Sequence, residues 1–188
     1  MSPGQHVFWL ASRGLGVVAL VLISLSVGLG LAMSGRLLRV PGAPAWLKHL
    51  HEALSLTGLM AIAGHGLLLM GDPYLEPGLA GIALPFAMAT KPFWTGLGVI
   101  GGWLAAIVGL SFYVRRWIGT PLWRWLHRWT LVVYVLAIAH TLGSGTDARS
   151  AWLLLLIVTT ASPAVFAGVY RFLPAERPAK RRPEGATT

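Results

Sequence analysis

Four histidines of this chain have the residue type and the spacing needed to bind metal. His51 and His65 are 14 residues apart, and His127 and His140 are 13 apart. At 1.5 Å per helical residue, each separation corresponds to roughly 20 Å along a helix axis. His65 and His140 also lie inside apolar runs, where an ionisable side chain is costly and indicates a functional site.

The composition indicates that a membrane surrounds these histidines. Of 188 residues, 55% are hydrophobic and 11% are charged, whereas a soluble domain carries about 25% charged residues. The mean hydropathy of +0.68 argues further against a soluble or a disordered chain. The lack of cysteine excludes disulfides, iron–sulfur clusters, thiolate zinc sites and covalently attached c-type haem.

The apolar runs predict an all-α integral membrane helical bundle, because each is about as long as a spanning helix. We expect one bundle over residues 1–173. Its five transmembrane helices are expected at residues 9–33, 47–70, 93–114, 121–143 and 151–173. No internal repeat is apparent in these runs.

Two further segments are not expected to cross the membrane. Residues 79–89 are apolar but too short to span, so we expect them to lie as an interfacial lid over the outer end of the bundle. Residues 174–188 are basic and contain prolines, which predicts a disordered tail at anionic lipid headgroups.

The basic residues predict the orientation of the bundle. Twelve of the fifteen Lys and Arg residues lie in or beside the first and third connections and in the C-terminal tail, and three lie on the other side. Basic loops stay on the cytoplasmic side, so the N-terminus is expected outside and the C-terminus inside. The net charge of +9 is therefore attributed to the cytoplasmic face, and no nucleic-acid partner is expected.

The orientation gives the four histidines matched depths. The second and fourth spans both run from inside to outside, so His51 and His127 lie near the inner face, and His65 and His140 near the outer face. Two such pairs predict two stacked b-type haems with bis-imidazole ligation. The 13-residue spacing leaves about 140° between His127 and His140 on an ideal helix, which helix twist, distortion or differently placed haems would have to accommodate.

Other interpretations of these histidines remain open at this point. They are consistent with polar contacts between helices or with a metal transporter or assembly factor. Metal transport sites normally recruit carboxylates, and the spans contain only Glu52. His6 and His49 are interpreted as incidental, and no catalytic motif is apparent.

Several arginines and a lysine have the charge needed to pair with haem propionates. Arg13 lies about one turn into the first span, at outer depth, and is the candidate for the outer haem. A snorkelling arginine is the alternative. Lys48, Arg124 and Arg128 lie at inner depth, where they would serve the inner haem or only set the topology.

The stretch from residue 90 to residue 140 resembles the ferric reductase-like transmembrane domain family. The resemblance rests on the following residues: Thr90-Lys91-Pro92-Phe93, Gly96, Gly98, Arg115-Arg116, Gly119, Trp123-Arg124-Trp125-Leu126-His127, Tyr134 and Ala139-His140. That family includes the membrane parts of NADPH oxidases and ferric reductases, and the haem-binding membrane subunit of the periplasmic methionine-sulfoxide reductase system. The resemblance implies that both histidine pairs are axial haem ligands.

The resemblance also implies a function, although this sequence departs from the family pattern in two ways. Family members often have six spans, and no soluble FAD/NADPH domain is found here. We therefore expect a bacterial inner-membrane cytochrome b that takes electrons from a separate flavoprotein or from quinol. The expected acceptor outside is ferric iron, dioxygen or a periplasmic redox partner. A quinol-linked haem subunit of a periplasmic reductase is the runner-up.

Overall fold

The computed structural model describes residues 6–34 and 45–172, and this part of the chain is helical with no strand. The first two helices are α1 (Val7–Ser34) and α2 (Ala45–Leu69). The short helix α3 (Gly78–Ala83) precedes the long helix α4 (Pro92–Ile118). The last three are α5 (Thr120–His127), α6 (Thr130–Ser144) and α7 (Ala151–Phe172).

Four helices in the described part are long and apolar enough to cross a membrane: α1, α2, α4 and α7. They cover the predicted first, second, third and fifth spans. At 1.5 Å per residue, each is longer than the hydrocarbon core of about 30 Å. The protein is therefore a helical membrane protein. The predicted tail at 174–188 lies outside the described residues, as do Arg36 and Arg39 of the first connection.

The prediction of one continuous helix over 121–143 is wrong, because the chain breaks between α5 and α6. The N–H groups of Arg128 and Trp129 bond to the carbonyls three residues earlier, at 3.2 and 2.9 Å, as in a 3₁₀ turn. The hydroxyl of Thr130 donates to the carbonyl of His127 at 2.8 Å. That carbonyl is thus capped by a side chain, and the α-helical bonding is interrupted there.

The helices pack so that α1 lies along α2, α4 lies along α6, and α7 covers α1. A small buried core joins α1, α6 and α7. It consists of Leu20, Val27, Tyr134, Leu153, Ile157 and Ala164. Most other large apolar side chains are exposed, as expected for helices whose outer faces contact lipid.

The connection between α2 and α4 packs against the bundle. Trp103 of α4 donates from its indole nitrogen to the carbonyl of Ala83 at 2.8 Å. The ring of Phe86 lies over Gly96 of α4, where a Cβ would collide with it. The stretch predicted as a lid therefore lies against α4.

Candidate functional site

The structure brings together the two histidine pairs that the spacing predicts. His51 of α2 faces His127, the last residue of α5, with ring centroids 6.1 Å apart. His65 of α2 faces His140 of α6, also at 6.1 Å. The ring planes are steeply inclined in both pairs, at 82° and 73°. The two sites thus have nearly the same geometry at two levels of α2.

The break between α5 and α6 explains how a 13-residue spacing on one side matches a 14-residue spacing on the other. A 3₁₀ turn advances about 120° per residue, whereas an α-helix advances about 100°. Three or four tightened residues around Arg128 would reduce the predicted 140° separation to roughly 60–80°. His127 and His140 can then both face α2, so distortion is the accommodation that the structure adopts.

Three of the four imidazoles are held by backbone carbonyl groups. The Nδ1 atom of His65 bonds to the carbonyl oxygen of Ser12 at 2.8 Å, and that of His51 to Ser26 at 3.0 Å. On α6, Nδ1 of His140 bonds to the carbonyl oxygen of Trp94 at 2.9 Å. A carbonyl only accepts, so these rings carry their proton on Nδ1 and leave Nε2 to a metal.

Each of these carbonyls is followed four residues later by a glycine under the same imidazole. A Cβ at Gly16 would lie 3.0 Å from Nδ1 of His65, and one at Gly30 would lie 3.2 Å from Cε1 of His51. A Cβ at Gly98 would lie 2.5 Å from Nδ1 of His140. We call this arrangement, a carbonyl at one residue and a glycine four residues later, an imidazole seat.

The seat has a simple geometric cause. Residues four apart lie one above the other on the same helix face. An imidazole that reaches a helix carbonyl must therefore pass over the residue one turn further on. A Cβ at Gly98 has no room unless the ring moves, whereas a Cβ at Gly16 or Gly30 would make a tight contact that the ring could admit by shifting a few tenths of an ångström.

His127 is held differently from the other three histidines. Its ring stacks on Trp123, one turn earlier on α5, with centroids 5.3 Å apart and planes 25° apart. Within the described residues, the structure gives its Nδ1 no backbone acceptor. The inner pair therefore has one seated imidazole and one stacked imidazole, whereas the outer pair has two seated imidazoles.

The distance between the two rings of each pair matches that of two imidazoles bound to one iron. A metal about 2 Å from one nitrogen of each ring would put the centroids roughly 6 Å apart, and both pairs are at 6.1 Å. In the described ranges, no group of three or more His, Asp or Glu side chains could hold a metal ion. A haem needs only two protein ligands of this kind, because the porphyrin supplies four nitrogens to its iron.

No protein-family model, curated protein or solved structure matches this chain. The assignment of the site therefore rests on the residues of the chain itself. The resemblance to the ferric reductase-like family is a prediction from the motifs between residues 90 and 140.

Arg13 forms an ion pair that the sequence did not predict. Its guanidinium contacts the carboxylate of Asp147, in the connection between α6 and α7, and lies 5.2 Å from the ring centroid of Trp9. Ser12, the residue before Arg13 in the chain, contacts His65 of the outer pair. The predicted role of Arg13 toward a haem propionate stays a prediction.

Arg128 directly follows His127 of the inner pair. Its side chain is exposed and lines an open hollow with Trp125, Trp129 and Val132. His6 and His49 are exposed, which is consistent with their interpretation as incidental. The predicted propionate role of Arg128 stays a prediction.

The outer pair is braced by a segment that sequence reasoning did not assign to the site. Lys91 precedes α4 with a φ of 48°, and its Nζ donates to the carbonyls of Gly143 and Ser144 at 3.1 and 3.4 Å. These carbonyls end α6, where a cation is favourable. The Trp94 ring lies over Gly143, leaving no room for a Cβ there. The carbonyl of Trp94 is thereby fixed beside His140.

Proposed function

We propose that this protein is a membrane b-type cytochrome of the ferric reductase-like kind, with two haems. His51 and His127 would ligate the inner haem, and His65 and His140 the outer haem. The observation that carries the proposal is the repeated pair geometry, two imidazoles at 6.1 Å at each of two levels. A haem iron at each level would carry one electron by cycling between the ferric and ferrous states.

The residues around the pairs support ligation through Nε2. Hydrogen bonds from Nδ1 fix the tautomer and orientation of metal-binding histidines, and His51, His65 and His140 have such bonds. The apolar helices exclude water, which favours electron transfer over side reactions. In this arrangement the protein supplies ligation, spacing and a low dielectric constant.

The proposed topology has five crossings in the inner membrane, with the N-terminus outside and the C-terminus inside. Helix α6 is about 22 Å long at 1.5 Å per residue, so it would cross the membrane together with α5. Four basic residues then flank the inner ends of α2, α4 and α5: Lys48, Arg115, Arg116 and Arg124. This distribution supports the orientation through the preference of basic residues for the cytoplasmic side.

In this topology the two levels connect opposite sides of the membrane. The 14 residues between His51 and His65 correspond to about 20 Å along α2. Electrons would enter from a separate flavoprotein or from quinol, pass from the inner to the outer haem, and leave to an external acceptor. The proposed acceptor is ferric iron, dioxygen or a periplasmic redox partner.

Electron conduction across a membrane tests this function directly. Proteoliposomes would enclose ferricyanide, and dithionite would be added outside. We expect the protein with both haems to bleach the enclosed ferricyanide, and His51→Ala and His65→Ala each to abolish the bleaching. His49→Ala, on the same helix but exposed, should conduct normally. Haem-loaded protein that does not bleach ferricyanide would refute the function.

A further inference from the structure

Helix α1 carries one five-residue unit twice. Residues 12–16 read Ser-Arg-Gly-Leu-Gly and residues 26–30 read Ser-Val-Gly-Leu-Gly. The two copies are 14 residues apart, which is also the separation of His51 and His65 on α2. Because α1 and α2 run in opposite directions, the first copy meets His65 and the second meets His51.

The hydrogen bonds of each serine hydroxyl determine which acceptor its single proton is donated to. At the outer level, the Ser12 hydroxyl donates to the backbone carbonyl of His65 at 2.8 Å. The same oxygen lies 3.0 Å from Nδ1 of His65. A hydroxyl has one proton, so the ring must donate in this second contact. Nδ1–H is thus shared between the carbonyl and the hydroxyl of Ser12.

At the inner level the same reasoning applies, with Ser55 as an additional hydrogen-bond partner. Ser55 donates to the carbonyl of His51 at 2.8 Å, so its contact with the Ser26 hydroxyl at 2.7 Å must use the proton of Ser26. The Ser26 oxygen also lies 3.1 Å from Nδ1 of His51. The proton of that contact must come from the ring. His51 and His65 therefore have the same tautomer and the same pair of acceptors.

We propose that Ser12 and Ser26 are positioning residues that lock His65 and His51 with the proton on Nδ1 and Nε2 toward the metal. The hydroxyls also tie α1 to α2 at the two levels. This inference rests on the proposed haem ligation, and it implies that each serine affects the midpoint potential of one haem. Ser12 acts on the outer haem and Ser26 on the inner haem.

The lock has an electronic consequence at each level. An imidazole that donates from Nδ1 becomes a more basic ligand through its other nitrogen. A more basic ligand stabilises ferric over ferrous iron, so it lowers the midpoint potential. Removing one of the two acceptors weakens this effect, and the potential of the haem at that level should rise.

The experiment is a spectroscopic redox titration of purified protein carrying Ser12→Ala or Ser26→Ala. The spectrum of His65→Ala identifies the inner haem and so separates the two components. Ser12→Ala should raise the potential of the outer haem alone, and Ser26→Ala that of the inner haem alone. The matched control is Ser24→Ala, because Ser24 is equally buried on α1 but bonds only to Leu20 of its own helix.

The outcomes separate this inference from the proposed function. Haem-loaded variants with unchanged potentials would overturn the inference, as would a shift in both haems or an equal shift in Ser24→Ala. A wild-type protein without haem would refute the proposed function instead. In that case ¹⁵N NMR of labelled histidines in the wild type, Ser12→Ala and Ser26→Ala still decides: a larger Nε2-protonated fraction of His65 in Ser12→Ala and of His51 in Ser26→Ala supports the lock, and unchanged tautomers in both variants overturn it.

Discussion

Gly98 lies directly beneath the imidazole of His140, where a Cβ would be 2.5 Å from Nδ1. Gly98 and Gly102 together form a GxxxG pattern, which in membrane helices commonly allows close helix packing. The two glycines have different surroundings here. A Cβ at Gly102 would meet Cγ2 of Ile62 at 3.5 Å, an ordinary van der Waals contact.

Gly98→Ala should therefore remove the outer haem. The added methyl group cannot fit unless the His140 ring moves off the carbonyl of Trp94, and the displaced ring no longer faces His65. We expect about half of the haem content to be lost, measured by the pyridine haemochrome assay. Gly102→Ala is the matched control and should keep both haems. Equal haem content in the two variants would show that Gly98 serves packing alone.

Single histidine variants test the pairing by depth. His65→Ala and His140→Ala should lose the same spectral component, because both rings would ligate one iron. His51→Ala and His127→Ala should lose the other component. Low-temperature difference spectra, with haem quantified per chain, distinguish the two. If His65→Ala and His51→Ala removed the same component, the assignment of the pairs to two haems would be wrong.

The ion pair between Arg13 and Asp147 predicts opposite shifts in the outer potential. A nearby cation disfavours ferric iron, so Arg13→Ala should lower the outer midpoint potential and Asp147→Asn should raise it. The double variant should return close to wild type. The Arg13 side chain is about a third exposed, so the pair itself should contribute about 1 kcal/mol or less to stability. Unchanged potentials in both single variants would exclude Arg13 from the outer site.

The break between α5 and α6 can be tested by changing its length. Two alanines inserted between Arg128 and Trp129 add about 200° of rotation, which would widen the separation of His127 and His140 from roughly 60–80° to roughly 120–140°, so the two rings would no longer both face α2. We expect loss of one haem with the other retained, because α6 remains braced by Lys91. Two alanines inserted between Gly145 and Thr146, in the connection after α6, are the control for an insertion. An insertion variant with both haems intact would contradict the role of the break.

The sequence was sufficient to predict which histidines pair, but not how each imidazole is held in place. Matched spacings on two parallel helices predict that His51 faces His127 and that His65 faces His140. The break at Arg128 was not predicted, because neither Gly nor Pro marks it. At the break the Thr130 hydroxyl donates to a backbone carbonyl, but threonines make this contact in many unbroken helices, so the residue type does not mark the break.

The imidazole seats were missed for a different reason. Their acceptors are backbone carbonyls. Because every residue has one, the residue type does not show which carbonyl is the acceptor. The only sequence signal is the glycine four residues later, at Gly16, Gly30 and Gly98. On α1 that signal forms a repeat with the same period as His51 and His65. The expectation of no internal repeat was wrong, and comparing the periods of α1 and α2 would have found it.

The most direct test of the central claim is the reduced-minus-oxidised visible spectrum of purified protein, with haem quantified per chain. The protein should come from haem-replete cells and be reduced with dithionite. The two histidine pairs predict a Soret band that shifts and sharpens on reduction, low-spin ferrous bands, and about two haems per chain. A colourless protein, or one whose spectrum is unchanged by dithionite, would contradict the account.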